Sequence, residues 1–96
     1  MSEYLVADPE VVFRDEGEDG AILFHPVTGE VKILNETGAF IFKLCDGKHT
    51  KTDIINSMAN TFKVDRNTVE QDVDIFLKEL TKKGLVGITL KKKGVK

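Results

Sequence analysis

Cys45 and His49 stand four residues apart, the one spacing in this 96-residue chain that suggests thiol or metal chemistry. A mononuclear zinc site takes three or four ligands from Cys, His and carboxylate. His25 is the only other histidine, and Asp46–Gly47 breaks a helix between Cys45 and His49, so that pair need not share a face. Cys45 is the sole cysteine, which excludes an internal disulfide and makes a reducing cytoplasm the default setting. A free cysteine is most often a small buried hydrophobe. Cys45 therefore reads as a core residue, and the two histidines as surface imidazoles in or beside turns. The carboxylates of Asp15–Asp19 fall in an acidic turn, and Glu70, Asp72 and Asp74 fall on a helix; solvated faces account for both. There is no phosphate-cradling glycine loop and no nucleophile–base spacing. Catalysis by this chain is not expected, nor is a metal or a cofactor.

Composition narrows the remaining classes. A formal net charge of −2 argues against binding nucleic acid chiefly by neutralising phosphates. The N-terminus lacks a basic region followed by an apolar core, and no apolar run approaches the roughly 20 residues that span a bilayer. The expectation is one small cytoplasmic domain over residues 11–90, with a loose segment over 1–10 and a basic tail over 91–96.

The elements follow from turn chemistry and hydrophobic period. Val11–Arg14, Ala21–His25 and Glu30–Leu34 read as three strands, joined by the acidic turn Asp15–Gly20 and the hairpin His25–Gly29. Short connections make them an antiparallel meander whose first and third strands are edges. The third strand passes without a loop into a helix that Asn35 caps and that stops at Cys45–Asp46–Gly47. Thr50 and Asp53 resemble a capping box for a second helix, with Ile54, Ile55, Met58, Ala59 and Phe62 on one face. Asp65 caps a third helix, in which Val69, Val73, Phe76, Leu77 and Leu80 form a core stripe and which Gly84 ends. Leu85–Leu90 adds a short extended segment. The fold class is α+β and winged-helix-like: a three-stranded antiparallel sheet followed by a three-helix bundle.

That outline admits a winged-helix DNA-binding regulator as an alternative, with the third helix reading the groove. Glu70, Asp72, Asp74 and Glu79 would then press against phosphates, so the architecture fits and the charge does not. The third helix also carries a misfit. Ile75 lies about 120° from the centre of the core stripe at 100° per residue. It is either one more exposed apolar residue or the border of a groove beside the open third strand.

The run Leu34–Asn35–Glu36–Thr37–Gly38–Ala39, then Leu44–Cys45–Asp46–Gly47, Thr50, Asp53–Ile54, Asp72–Val73, Phe76–Leu77, Leu80 and Gly84–Leu85–Val86 resembles the PqqD-like proteins. These are the recognition elements that act as peptide chaperones in making ribosomal, post-translationally modified peptides. The resemblance covers about residues 11–88, and Gly38 stands where many members keep alanine or another small residue. It implies a precursor leader peptide added as a further strand beside the third strand, in the groove against the third helix. Carried onto this chain, Val31, Lys32, Ile33 and Leu34 would supply the ladder, and Asp72, Ile75, Phe76 and Glu79 the helix wall. Asp72 and Glu79 would favour a basic leader. The implied partner is a peptide-modifying enzyme, frequently a radical SAM protein that brings its own cluster, in pyrroloquinoline quinone or other modified-peptide synthesis. Neither nucleic acid nor membrane is implied as a partner, and a homodimer is left open.

Overall fold

Strands, helices and a 3-10 turn make ten elements of the described residues. A computed structural model describes the backbone of residues 2–91 and the side chains of residues 2–90. Strands β1 (Ser2–Ala7) and β2 (Val12–Asp15) precede a 3-10 turn at Gly17–Asp19, then β3 (Ala21–Phe24) and β4 (Val31–Leu34). Helix α1 (Glu36–Lys43), strand β5 (Asp46–Thr50), helices α2 (Lys51–Phe62) and α3 (Arg66–Lys82) and strand β6 (Val86–Lys91) follow. The strands form two antiparallel sheets, ordered β2-β3-β4 and β5-β1-β6. No helix among the described residues is long and apolar enough to cross a membrane.

The first sheet is the expected meander, and β4 is its third strand. Register pairs Phe24 with Val31 and Ala21 with Leu34. Leu23 and Leu34 are fully buried on the face turned toward the helices. At the 3-10 turn Gly20 takes φ 97°, and a Cβ there would meet the Leu34 carbonyl oxygen at 1.9 Å. That position admits only glycine.

The second sheet corrects the sequence reading twice. Residues 1–10 were expected to be loose, yet Ser2–Ala7 is the central strand of this sheet, with six residues in register against β6. Burial of Leu5 and two backbone ladders outweigh the ordinary tendency of a terminus to fray. Cys45–Asp46–Gly47 was expected only to stop a helix. Helix α1 closes earlier, at Leu44, and Asp46–Thr50 pairs with β1 across a bulge between Leu5 and Val6. Gly47 does take positive φ, at 81°, but inside this strand. Polar DGKHT has little strand propensity of its own, so β1 imposes the conformation. The expected tail over residues 91–96 lies outside the described residues except for Lys91, whose backbone closes β6.

The helices follow the capping chemistry. Asn35 Oδ1 accepts from the Gly38 amide at 2.8 Å, and Thr50 and Asp53 form a reciprocal capping box. Asp65 accepts from the Thr68 amide. Val69, Val73, Leu77 and Leu80 are buried along α3 and Phe76 is half-buried, as the stripe requires. Phe13 stacks on Phe42 at 5.6 Å between ring centroids, and Phe40 meets Phe62 edge-on at 5.3 Å. These contacts tie β2 and α2 to α1, and thereby fix α1 at the end of β4.

Candidate functional site

The outer edge of β4 has defined hydrogen-bonding geometry. The His25 amide donates to the Glu30 carbonyl at 2.9 Å, one step beyond the Phe24–Val31 pair. Antiparallel pairs alternate between bonded and non-bonded, so the bonded pairs are 25/30, 23/32 and 21/34. Val31 and Ile33 consequently turn their N–H and C=O groups away from β3, toward an edge with no strand beyond it among the described residues. Their side chains are exposed, Ile33 at 74%. Lys32 and Leu34 point to the opposite face, where Leu34 is sealed in the core and Lys32 is half-buried.

Helix α3 faces this edge through one direct bridge. Lys32 Nζ donates to Glu79 Oε2 at 2.8 Å. The same hydrogen bond, with Lys32 and Lys83 as nearby charges, holds the Glu79 carboxyl below its usual range against a smaller opposing effect of desolvation. Glu79 is therefore paired with Lys32 in this structure. Ile75 is 67% exposed on α3. Asp72 and Phe76 are brought together in a hollow of about 480 Å³ that opens beside Asn35, where β4 becomes α1. Gly38, Met58, Phe62 and Val69 also line it. A Cβ at Gly38 would lie 3.3 Å from the Phe76 ring and 3.2 Å from Asn35 Oδ1, so the small residue lets the α3 aromatic ring approach α1.

Sequence reasoning thus found one half of this region and missed the other. It named β4 and one face of α3. It passed over the floor of the hollow, because Met58, Phe62 and Val69 carry a core pattern and nothing more. Val64, exposed in the connection between α2 and α3 and also lining the hollow, was the available signal.

The residues that suggested chemistry lie elsewhere. Cys45 is buried, its Sγ 3.5 Å from the Ile41 carbonyl. Desolvation, helped by the Asp46 charge, pushes the thiol up to about 12, so it stays protonated at neutral pH. His49 Nδ1 lies 2.9 Å from Asp46 Oδ1. Desolvation works against ionisation of Asp46, but this hydrogen bond and the Lys48 amide outweigh it and lower the carboxyl. The expectation that both histidines are surface imidazoles holds only for His49. His25 is 6% exposed; its Nδ1 accepts from the Val27 and Thr28 amides at 3.2 and 3.3 Å, and its Nε2 faces Asp8 at 3.4 Å. Accepting two amides leaves Nδ1 without a proton and places the ring hydrogen on Nε2. His25 organises the β3–β4 hairpin.

With this geometry in view, comparison with known proteins gives a consistent result. A family model described as coenzyme PQQ synthesis protein D (PqqD) matches residues 20–86, from the end of the 3-10 turn to the first residue of β6. The chain belongs to the PqqD family. A PqqA binding protein of Methylococcus capsulatus is 32% identical over 72 residues, which is 75% of this chain and 73% of that protein. The structure of TbiB1 in complex with the TbiA(beta) leader peptide superposes with a TM-score of 0.74 at 27% identity, covering 95% of this PqqD-family chain and 98% of its own. A lasso peptide synthetase B1 complexed with the leader peptide gives 0.73 at 23% identity over 86% and 96%, a likeness of fold alone. The fold of this PqqD-family member is thus that of recognition elements, with β1 and β2 included although the family model leaves them out.

Proposed function

We propose that this chain is a peptide chaperone: it captures the leader of a ribosomal precursor peptide as an added strand on β4 and presents it to a modifying enzyme. The observation that carries the reading is the outward-facing backbone of Val31 and Ile33, on a strand that leads into a hollow at Asn35, in a chain whose relatives include a PqqA binding protein and a structure with a bound leader peptide. Main-chain bonds to Val31 and Ile33 would provide affinity, and alternate leader side chains would provide specificity. Side chains on the Lys32–Leu34 face would run toward α3, where Phe76 and Asp72 receive an apolar residue flanked by a basic one. Ile75 would border the added strand. Glu79 acts through Lys32, as a positioning residue for β4.

The chemistry itself belongs to the partner, a radical SAM enzyme in this reading, and the chain contributes no catalytic group. The setting is the cytoplasm, where precursor and enzyme meet. Titrating 15N-labelled protein with the leader encoded by a neighbouring precursor gene should shift the amides of Val31, Ile33, Thr68 and Phe76. Spectra that do not move with any leader encoded beside the gene would refute the proposal. Binding that requires the enzyme, with no response to leader alone, would make the chain an adaptor instead.

A further inference from the structure

Two ion pairs join β4 to the end of α3, and their order along the two elements is matched. Lys32 Nζ meets Glu79 Oε2 at 2.8 Å, and Lys83 Nζ meets Glu30 Oε2 at 3.5 Å. Glu30 extends the β4 ladder by one residue, since its carbonyl accepts from the His25 amide. Glu30 and Lys32 thus share a strand face, about 6.8 Å apart at ~3.4 Å per residue. Glu79 and Lys83 stand about one helical turn apart, a rise of about 6 Å. The spacings agree, so both pairs form side by side, with strand and helix running in opposite senses. The signs alternate on each element, acid before base.

A slip of β4 by two residues along α3 would set Lys32 against Lys83, or Glu30 against Glu79. Either way like charges meet. The backbone beneath each outer partner is fixed as well. The Glu30 amide donates to Thr28 Oγ1 at 3.2 Å, and Lys83 caps α3, where a cation complements the helix dipole. The four side chains are 25–42% exposed, so each pair adds little stability. What the pattern supplies is register. The β6 edge lacks it. There the Asp8 amide donates to the Leu85 carbonyl at 3.0 Å, and pairing with β1 continues without a bulge. The bonded pairs are 8/85, 6/87, 4/89 and 2/91, so Val86, Ile88 and Leu90 turn their N–H and C=O groups outward. No ion pair joins β6 to α3 among the described residues.

We infer that Glu30, Lys32, Glu79 and Lys83 form a charge lock that fixes the register of β4 against α3, and that Glu30 and Lys83 are thereby positioning residues for the peptide edge. The positioning role rests on the leader-binding reading above; the lock does not. The four charges stand at the hairpin end of β4, and the hollow lies at the other end, beside Asn35. A leader strand must bond Val31 and Ile33 and at the same time fit a side chain beside Phe76 and Asp72. Its register is therefore set by the offset between strand and helix, which the lock holds constant.

Native-state hydrogen exchange on the free protein tests the lock, with circular dichroism confirming that each variant folds. The Lys32 and Leu34 amides report it, since both belong to bonded pairs with β3. Glu30→Lys sets like charges at the outer pair and should speed both amides about fivefold. The Arg14 amide, on the far side of β3, should keep its rate. Adding Lys83→Glu restores the pairing and the net charge, and should return part of the protection; each new charge then has a like neighbour on its own element. Unchanged Lys32 and Leu34 rates in Glu30→Lys overturn the lock, as does acceleration spread evenly through both sheets or no recovery in the double variant. Calorimetry with the leader encoded by a neighbouring precursor gene tests the positioning role. Affinity should fall about two- to fivefold in Glu30→Lys and partly recover in the double variant. Local loosening with unmoved affinity overturns that role. A wild type that binds no leader defeats the leader-binding reading and the positioning role with it, while exchange still decides the lock.

Discussion

The two open edges, β4 and β6, offer the same backbone chemistry in different settings. On β4 the outward groups of Val31 and Ile33 precede Asn35, which lines a hollow, and the strand is tied to α3 by the Lys32–Glu79 bridge. On β6 the outward groups of Val86, Ile88 and Leu90 stand on a strand whose charged residue is its last, Lys91, with no comparable bridge to α3 among the described residues. A hydrogen-bonding edge alone does not choose a ligand. The side chains and the cavity around it do, and in the proposed reading they make β4 the edge that takes a peptide.

This contrast can be broken most forcefully from beneath. Leu34 is fully buried under β4, and Leu34→Ala should cost about 2–5 kcal/mol in urea unfolding. At temperatures where the variant is still folded, leader titration should be impaired while the amides of the β1–β6 ladder keep their protection from hydrogen exchange. A narrower change is Ile33→Pro, which removes an outward donor while leaving the β3 ladder its bonds. Leaving a leader carbonyl without its partner should weaken binding by about 1–3 kcal/mol, roughly five- to 150-fold by calorimetry. The matching change on the other edge, Ile88→Lys, should leave that affinity unaltered.

Smaller effects sharpen the comparison. Gly38→Ala gains about 1 kcal/mol of helix propensity but crowds Phe76 and Asn35, so unfolding should show a net loss of about 1 kcal/mol or less. The Phe76 ring resonances should move, and binding at β4 should change more than stability does. The smallest effect is acidification. Because the Glu79 carboxyl is held below its usual range, its bridge to Lys32 is complete above ordinary glutamate values and is lost as the pH falls through the lowered folded value. The Lys32 Nζ environment, followed by NMR, should change over that acidic window, and Glu79→Gln should abolish the change.

The first sheet and all three helices were readable because their signals are local: the apolar run Ala21–Phe24, a proline and glycine in the following hairpin, and caps at Asn35, Thr50 and Asp65. The second sheet was not. Ser2–Ala7 has the apolar run Tyr4–Leu5–Val6, but its partners lie forty or more residues away in β5 and β6. Asp46–Thr50 has no strand signal at all and extends only because β1 pairs with it. At the candidate site, the edge was visible as a strand without a fourth neighbour. The hollow was not, since its floor is built of residues whose spacing marks them as ordinary core. His25 was misjudged for a similar reason: a histidine next to Pro26 signals a turn, whereas its burial depends on Asp8 from a distant segment.

Gly20 shows how the fold would constrain the drift of this sequence over generations. Gly17 and Gly29 also have positive φ, but a Cβ at either meets nothing within 4 Å, so asparagine or aspartate can stand in for them. At Gly20 the φ of 97° and ψ of −133° combine with a carbonyl oxygen 1.9 Å from any Cβ. A library that randomises all three positions and is sorted for folded protein should return mixed letters at two of them and a single letter at the third. The turn that looks most like a dispensable acidic loop contains the position least free to change.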